Sequence, residues 1–388
     1  MCRTARLLAA GLVLSATLCL AQISGPVAWI YVSSNYSGSQ NHVVGYAASA
    51  DGKLSKIPGS PWADNLSYLA TSGSYLFGST NIAGDHGKNI FSYRVESNGA
   101  LRYIGANNIQ DTAPENECNS ARNLMLDHTG SYLYVFVHDE GYCNSNGGAY
   151  QSFAVNKSSG KLAWLGVTGP VGYYAYPPTM LADNDYAFAP EGNIEPDASG
   201  LICGYSKSAN GALNYTGFNS CDDSGSPGLS NSNGVYEYVA ADPTNHLAAA
   251  MDFTDSSGDI VTKIATIAIN TRNGAQSSNS NDSNMPAGDV ISVSSLVMAP
   301  SGKLLAVGGS NGIQIYNFNP NGQATPSTGL ISRADVTAMY WDNHNHLYAI
   351  SNSDNTLHVF TVTATGAEEA PGSPYTIPHP VALTGHSM

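Results

Sequence analysis

Trp29-Ile30-Tyr31-Val32, then Val43-Val44-Gly45-Tyr46, then Asp51-Gly52-Lys53-Leu54 form a unit that the chain repeats to its end. The parts are a short apolar segment, a second segment that alternates apolar and small residues, and a turn holding a glycine. The segments are rich in Tyr, Val and Ile and bounded by Gly, Asn, Asp and Ser, a composition that predicts strands and tight turns. The turn glycine recurs at Gly99, Gly160, Gly211, Gly274, Gly322 and Gly366. The apolar segment recurs as Tyr75-Leu76-Phe77, Tyr132-Leu133-Tyr134-Val135, Tyr186-Ala187-Phe188, Leu247-Ala248-Ala249-Ala250, Leu304-Leu305-Ala306-Val307 and Leu347-Tyr348-Ala349-Ile350. No sustained helical periodicity follows the N-terminal residues.

Short strands at this spacing predict propeller blades, each a small sheet that cannot bury both faces alone and so stacks on its neighbours. Six units open with an inner strand, such as Leu66–Ser72, Leu124–Asp127 or Val336–Trp341. The first unit lacks one and starts directly at Trp29. The missing strand stands at the far end, as Pro380-Val381-Ala382-Leu383-Thr384. The expected architecture is therefore all-β: a seven-bladed β-propeller whose first blade is completed by the C-terminal strand. The intervals from Gly99 to Gly160 and from Gly211 to Gly274 are the longest and leave room for an eighth blade.

Residues 1–21 read as a signal peptide: Arg3 and Arg6, an apolar run from Leu7 to Leu20, and Ala21 before Gln22. One propeller domain then spans 22–388, and the expected location is secreted or periplasmic. The formal net charge is −14, and loss of the two arginines makes the chain more acidic still. Such a chain repels nucleic acid and anionic membranes, and no later segment is suited to membrane insertion. Charged residues are only 11% of the chain and hydrophobic ones 42%, a polar, weakly charged balance suited to an extracellular β-protein.

The stretch Ile30-Tyr31-Val32-Ser33-Ser34-Asn35, with Val43–Tyr46, Asp51-Gly52-Lys53-Leu54 and Ile57-Pro58-Gly59-Ser60-Pro61, resembles one repeat of the YVTN propellers. It is also similar to the lactonase-type seven-bladed propellers, the group of 6-phosphogluconolactonase-like and muconate-lactonizing proteins. Ala370-Pro371-Gly372-Ser373-Pro374 echoes the motif in the last unit. The resemblance implies a propeller and, with it, lactone hydrolysis as one candidate activity. Lactonase-type propellers carry a histidine at the entry to an inner strand near mid-chain. The matching entry here reads Asn119-Ser120-Ala121-Arg122-Asn123, and only Pro378-His379-Pro380 keeps that look.

In a propeller, the loops entering each blade and those joining its second and third strands share one face, the top. Cys118, Cys143, Cys203 and Cys221 all fall there, with Cys118–Cys143 and Cys203–Cys221 as the natural disulfides. Each closes a loop of roughly 20–25 residues and contributes about 3 kcal/mol by restricting the unfolded chain. Long loops fixed on a rigid scaffold are usual binding surfaces. Two functions follow. The first is a binding scaffold whose top face takes a small molecule, a glycan or an extracellular protein. His138, Tyr173, Tyr174, Tyr176, Glu191 and Asp335 are its candidate contacts, the tyrosines offering aromatic faces. The second is a lactone hydrolase in the central funnel. There Arg122 and Arg333 would polarise a carbonyl or hold a carboxylate, and Glu237 or His379 would activate water. No cofactor is implied. Asp252, Asp255 and Asp259 surround a Gly turn and form a candidate Ca²⁺ site, without the spacing of an EF-hand loop.

Overall fold

The computed structural model describes residues 25–388 except 37–39, 81–88, 111–118, 140–147, 172–173, 176–177, 193–200, 217–233, 255–256, 282 and 364–365. The described residues form strands and turns, with no helix among them. The strands build seven antiparallel sheets around one axis.

The first sheet contains β1 (Ala28–Tyr36), β2 (Gln40–Ala48) and β3 (Leu54–Lys56). The second is β4 (Tyr68–Ser72), β5 (Tyr75–Ser79), β6 (Asn89–Val95) and β7 (Leu101–Asn108). The third is β8 (Asn119–Leu126), β9 (Tyr132–Asp139), β10 (Gly148–Val155) and β11 (Leu162–Val171). In the fourth the inner strand is split into β12 (Tyr174–Ala175) and β13 (Thr179–Met180), followed by β14 (Tyr186–Gly192), β15 (Leu201–Lys207) and β16 (Leu213–Tyr215). The fifth is β17 (Gly234–Ala241), β18 (His246–Thr254), β19 (Ile260–Asn270) and β20 (Ala275–Ser277). The sixth is β21 (Val293–Met298), β22 (Leu304–Gly309), β23 (Gly312–Asn317) and β24 (Thr325–Ser332). The seventh is β25 (Ala338–Trp341), β26 (His346–Ser351), β27 (Thr356–Thr363) and β28 (Gly366–Glu369), with β29 (Tyr375–Thr376) beside β27. The last strand, β30 (Pro380–Ser387), returns to the first sheet and becomes its innermost strand.

That closure follows the expected pairing. Trp29 faces His386, Tyr31 faces Thr384 and Val32 faces Leu383. The long intervals lengthen the third to fifth blades and their connections instead of adding an eighth.

The apolar side chains form seven clusters, and each bridges two neighbouring blades. Phe188 of the fourth blade meets Leu247 and Ile267 of the fifth, for example, and Ile30 of the first meets Tyr348 and Val359 of the seventh. The second strand of each blade is therefore covered on both faces. This explains the apolar runs Leu304–Val307 and Leu347–Ile350 of β22 and β26, strands in which every residue is buried. Burial between blades leaves the axis free for a channel.

The repeated glycine has a steric reason. At Gly99, Gly160, Gly211 and Gly274 the backbone is left-handed, with φ between +71° and +94°. A Cβ at these positions would lie 2.6 Å from Trp29, 2.5 Å from Tyr75, 1.9 Å from Tyr132 and 2.7 Å from Tyr186. Each aromatic stands at or next to the start of the second strand of the preceding blade. Both a positive φ and a close approach thus select glycine. Gly322 and Gly366 stand at the same place in the repeat but are not left-handed and meet no such ring.

The Pro-Gly-Ser-Pro echo is also structural. Gly59 and Gly372 are left-handed, and Ser60–Pro61 and Ser373–Pro374 are both cis. Ser60 Oγ accepts the Gly45 N–H at 2.8 Å, and Ser373 Oγ accepts the Val359 N–H at 2.9 Å. The following aromatics, Trp62 and Tyr375, then pair with Val43 and Leu357.

Candidate functional site

A cavity of about 970 Å³ lies on the ring axis, lined by residues of all seven blades. It is bounded by inner-strand residues: Tyr68 and Leu69, Arg122–Leu124, Thr179, Tyr238–Ala241, Ser294–Met298, Thr337–Trp341 and Val381–Leu383. Four of these strands carry an extra residue where the ladder slips: Asn123 in β8, Glu237 in β17, Ser294 in β21 and Val381 in β30. Such bulges twist a strand and re-aim its backbone and side chains. Asn123 takes a left-handed conformation, φ 41°, which Asn tolerates better than most residues.

Many polar side chains of the wall are engaged in lacing blades together. Ser294 Oγ donates to the Val336 carbonyl of the next blade. Thr179 Oγ1 accepts the Ala241 N–H at 3.3 Å, and Trp341 Nε1 donates to the Val297 carbonyl at 3.2 Å. Within the seventh blade Thr337 Oγ1 accepts the Asn352 N–H at 3.0 Å. Tyr340 Oη and Ser387 Oγ, on the seventh and first blades, share a hydrogen bond of 3.2 Å. Burial, with the Asp342 carboxylate nearby, raises the Tyr340 phenol above its ordinary value, so it stays neutral. Arg122 is the one charged residue among the described residues of the lining, and its Nε donates to Ser120 Oγ at 3.2 Å.

Of the residues proposed from sequence, Arg122 lines this cavity. Arg333, Asp335 and His379 are exposed and stand outside the lining. His379 is left-handed, φ 44°; its N–H donates to Asn355 Oδ1 at 2.7 Å and its carbonyl accepts the Asn35 N–H at 2.9 Å. It thereby anchors the start of the closing strand. Glu237 sits on the β17 bulge, His138 in β9, Tyr174 in β12 and Glu191 in β14, with side chains outside the described residues. Tyr173, Tyr176, Cys118, Cys143, Cys221 and Asp255 lie wholly outside them. Cys203 is buried in β15 and disulfide-bonded.

Asp252 lies half-buried on β18 and accepts a hydrogen bond from Thr262 Oγ1 at 3.1 Å. Burial raises its carboxyl above the usual range. Asp259 is exposed. Among the described residues no three His, Cys, Asp or Glu side chains are grouped as metal ligands.

Ser294, Thr337, Tyr238, Tyr340 and Trp341 line the cavity without a sequence motif that marks them, although Val336–Trp341 has the pattern of an inner strand. Their common signal is position, two to six residues ahead of the turn between a blade's first and second strands.

No family model matches this sequence, and no curated protein matches it. Solved structures do match in fold. A provisionally assigned 6-phosphogluconolactonase from Bacteroides uniformis is 13% identical with a TM-score of 0.70, over 94% of this chain and all of that one. A protein from Lactobacillus plantarum is 13% identical with a TM-score of 0.66, over 93% of this chain and all of its own. A second provisionally assigned 6-phosphogluconolactonase, from Bacteroides fragilis, is 15% identical with a TM-score of 0.58, over 93% and 98%. At such identities the likeness is one of fold.

Proposed function

We propose that this chain is an exported propeller that binds a small molecule at its top face and in the axial channel below it. The observation that carries the reading is the lining of the channel. It is large, contributed by every blade, built of hydroxyls, aromatics and aliphatics, and holds one charge, Arg122, among its described residues. Acid–base hydrolysis needs a titratable group within hydrogen-bond reach of the reacting atoms. Of the two candidates for that role, Glu237 and His379, His379 is exposed and outside the lining, and Arg333, a candidate to polarise the carbonyl, is too. A rigid ring enclosing a cavity of this size is instead suited to holding a ligand.

Lactone hydrolysis is the second reading, favoured by Arg122 in the wall and by the naming of the Bacteroides propellers. Proton release from sugar, aromatic and acyl-homoserine lactones distinguishes the two. The native chain is compared with an Arg122→Ala/Glu237→Ala double variant. The binding reading expects no turnover above the variant. Saturable turnover that the variant loses would replace it with the hydrolase.

A further inference from the structure

The inner strands β4, β8, β17, β21, β25 and β30 each end a sheet, with a partner strand on one side. Their other edges face the axis; neighbouring blades take some groups there, Thr179 the Ala241 N–H, Trp341 the Val297 carbonyl and Thr71 the Gly385 carbonyl, so the channel is bordered by backbone N–H and C=O groups that are only partly engaged. Ser294, Thr179, Thr337, Tyr340 and Trp341 spend hydrogen bonds on holding the wall together. Recognition of a ligand thus falls largely to backbone edges that offer donors and acceptors in similar number.

Three classes of ligand fit this wall poorly. A hydrocarbon would strip water from the strand edges and return no hydrogen bonds. A polyanion meets, among the described lining residues, a single guanidinium, in a chain of net charge −14. A cation meets Arg122 and, among the described lining residues, no carboxylate. A molecule dense in hydroxyl groups suits the wall, since each hydroxyl both donates and accepts. Tyr68, Tyr238 and Tyr340, partly exposed in the lining, add aromatic surface for the C–H faces of sugar rings. The cavity, about 970 Å³, has the volume of the larger small-molecule sites. Resting on the binding role proposed above, we infer that the axial channel takes an uncharged, polyhydroxylated molecule of oligosaccharide size.

Calorimetric titration of the full chain tests this with cellobiose, maltotriose and trehalose, alongside cellobionate, maltotrionate and glucosamine. The expected result is saturable one-to-one binding of a neutral sugar, with its aldonate no tighter and with a change in tryptophan fluorescence from Trp341. Tyr238→Ala should weaken that binding at least ten-fold, measured at a temperature where the variant, which loses the packing of Tyr238 on the core between the fifth and sixth blades, remains folded. Ala338→Leu, which adds bulk where the lining meets the core between the seventh and first blades, should also weaken binding ten-fold and serves if the first variant folds poorly. An aldonate or amino sugar binding ten-fold tighter than the neutral sugar overturns the uncharged class and leaves the channel-binding role standing. Native affinity in both variants puts the sugar elsewhere and overturns the site. No binding by any of the six overturns the polyhydroxylated ligand class, while the binding role is decided by the lactone assay above.

Discussion

Gly211→Ala tests the account of why the blades repeat a glycine. The residue has φ +94°, and a Cβ there would lie 1.9, 2.2 and 2.4 Å from three atoms of the Tyr132 ring. Two costs add. A non-glycine residue in left-handed backbone costs about 1–2 kcal/mol. Forcing a methyl group into a packed site costs about 1–3 kcal/mol more, because the ring or the backbone must shift. Neither gives easily: the Gly211 carbonyl accepts the Tyr134 hydroxyl at 3.0 Å, its N–H donates to the Ser208 carbonyl at 2.9 Å, and Lys207 Nζ lies over the Tyr132 ring. The expected loss is about 2–5 kcal/mol. Gly73→Ala is the control, since Gly73 is also left-handed, φ +53°, with nothing within 4 Å of its Cβ position. It should show only the backbone cost, about 1–2 kcal/mol. Urea denaturation of both variants supplies the difference. Tyr132→Ala then completes a double-mutant cycle with Gly211→Ala, and relief of the clash should appear as a coupling of about 1–3 kcal/mol. Equal losses for Gly211→Ala and Gly73→Ala, with no coupling to Tyr132, would refute the steric argument.

Asp342, fully buried, accepts the backbone N–H groups of His344 and His346, His346 Nδ1 at 2.7 Å and the Tyr348 hydroxyl at 2.9 Å. Burial pushes its pKa up, but the bonds from His346 and His344 outweigh it and the carboxyl ends below its ordinary value. Its stabilisation is therefore present above the unfolded value, about 3.9, and lost as pH falls through the folded one. Asp342→Asn should cost at least about 2 kcal/mol at pH 7, with the gap in urea midpoint narrowing below about pH 4. Asp64 should behave oppositely, because burial raises its pKa despite the Tyr93 hydroxyl and His42 nearby. Its burial cost at pH 7 falls as acid protonates it, so Asp64→Asn should be neutral or stabilising at pH 7 and lose that advantage on acidification, in the same titration. Deleting residues 380–388 removes the inner strand of the first blade and exposes Ile30, Tyr31 and Val32, which are fully buried in the native chain. The truncated chain should be digested by protease under conditions where the full chain is not, and equal resistance would show the closure to be dispensable.

The ring was legible because its repeat is imposed residue by residue. Gly99, Gly160, Gly211 and Gly274 are fixed by the aromatic of the blade before, and Pro380–Thr384 was conspicuous because the first unit had no inner strand. Gly322 and Gly366 show the limit of such a pattern, since they keep the motif without the contact that explains it. The channel was harder to read. Its wall depends on bulges at Asn123, Glu237, Ser294 and Val381, and no local signature separates these from ordinary strand residues. Arg122 was found because a charge at the start of an inner strand stands out. His379 stood out for the same kind of reason, yet the structure gives its backbone a part in anchoring the closing strand. Side-chain chemistry alone did not distinguish a group that lines the axis from one on the rim.

The partner of Trp29 in the first blade is His386, near the other end of the chain. At ordinary synthesis rates roughly 20–70 s separate the emergence of the two from the ribosome. Throughout that time β1 has an open inner edge, and the blade it belongs to cannot be finished. A nascent chain that stalls in its last blade therefore carries its defect in its first, where a chaperone or protease meets it before release. The first blade, and with it the ring, is closed only once β30 has been made.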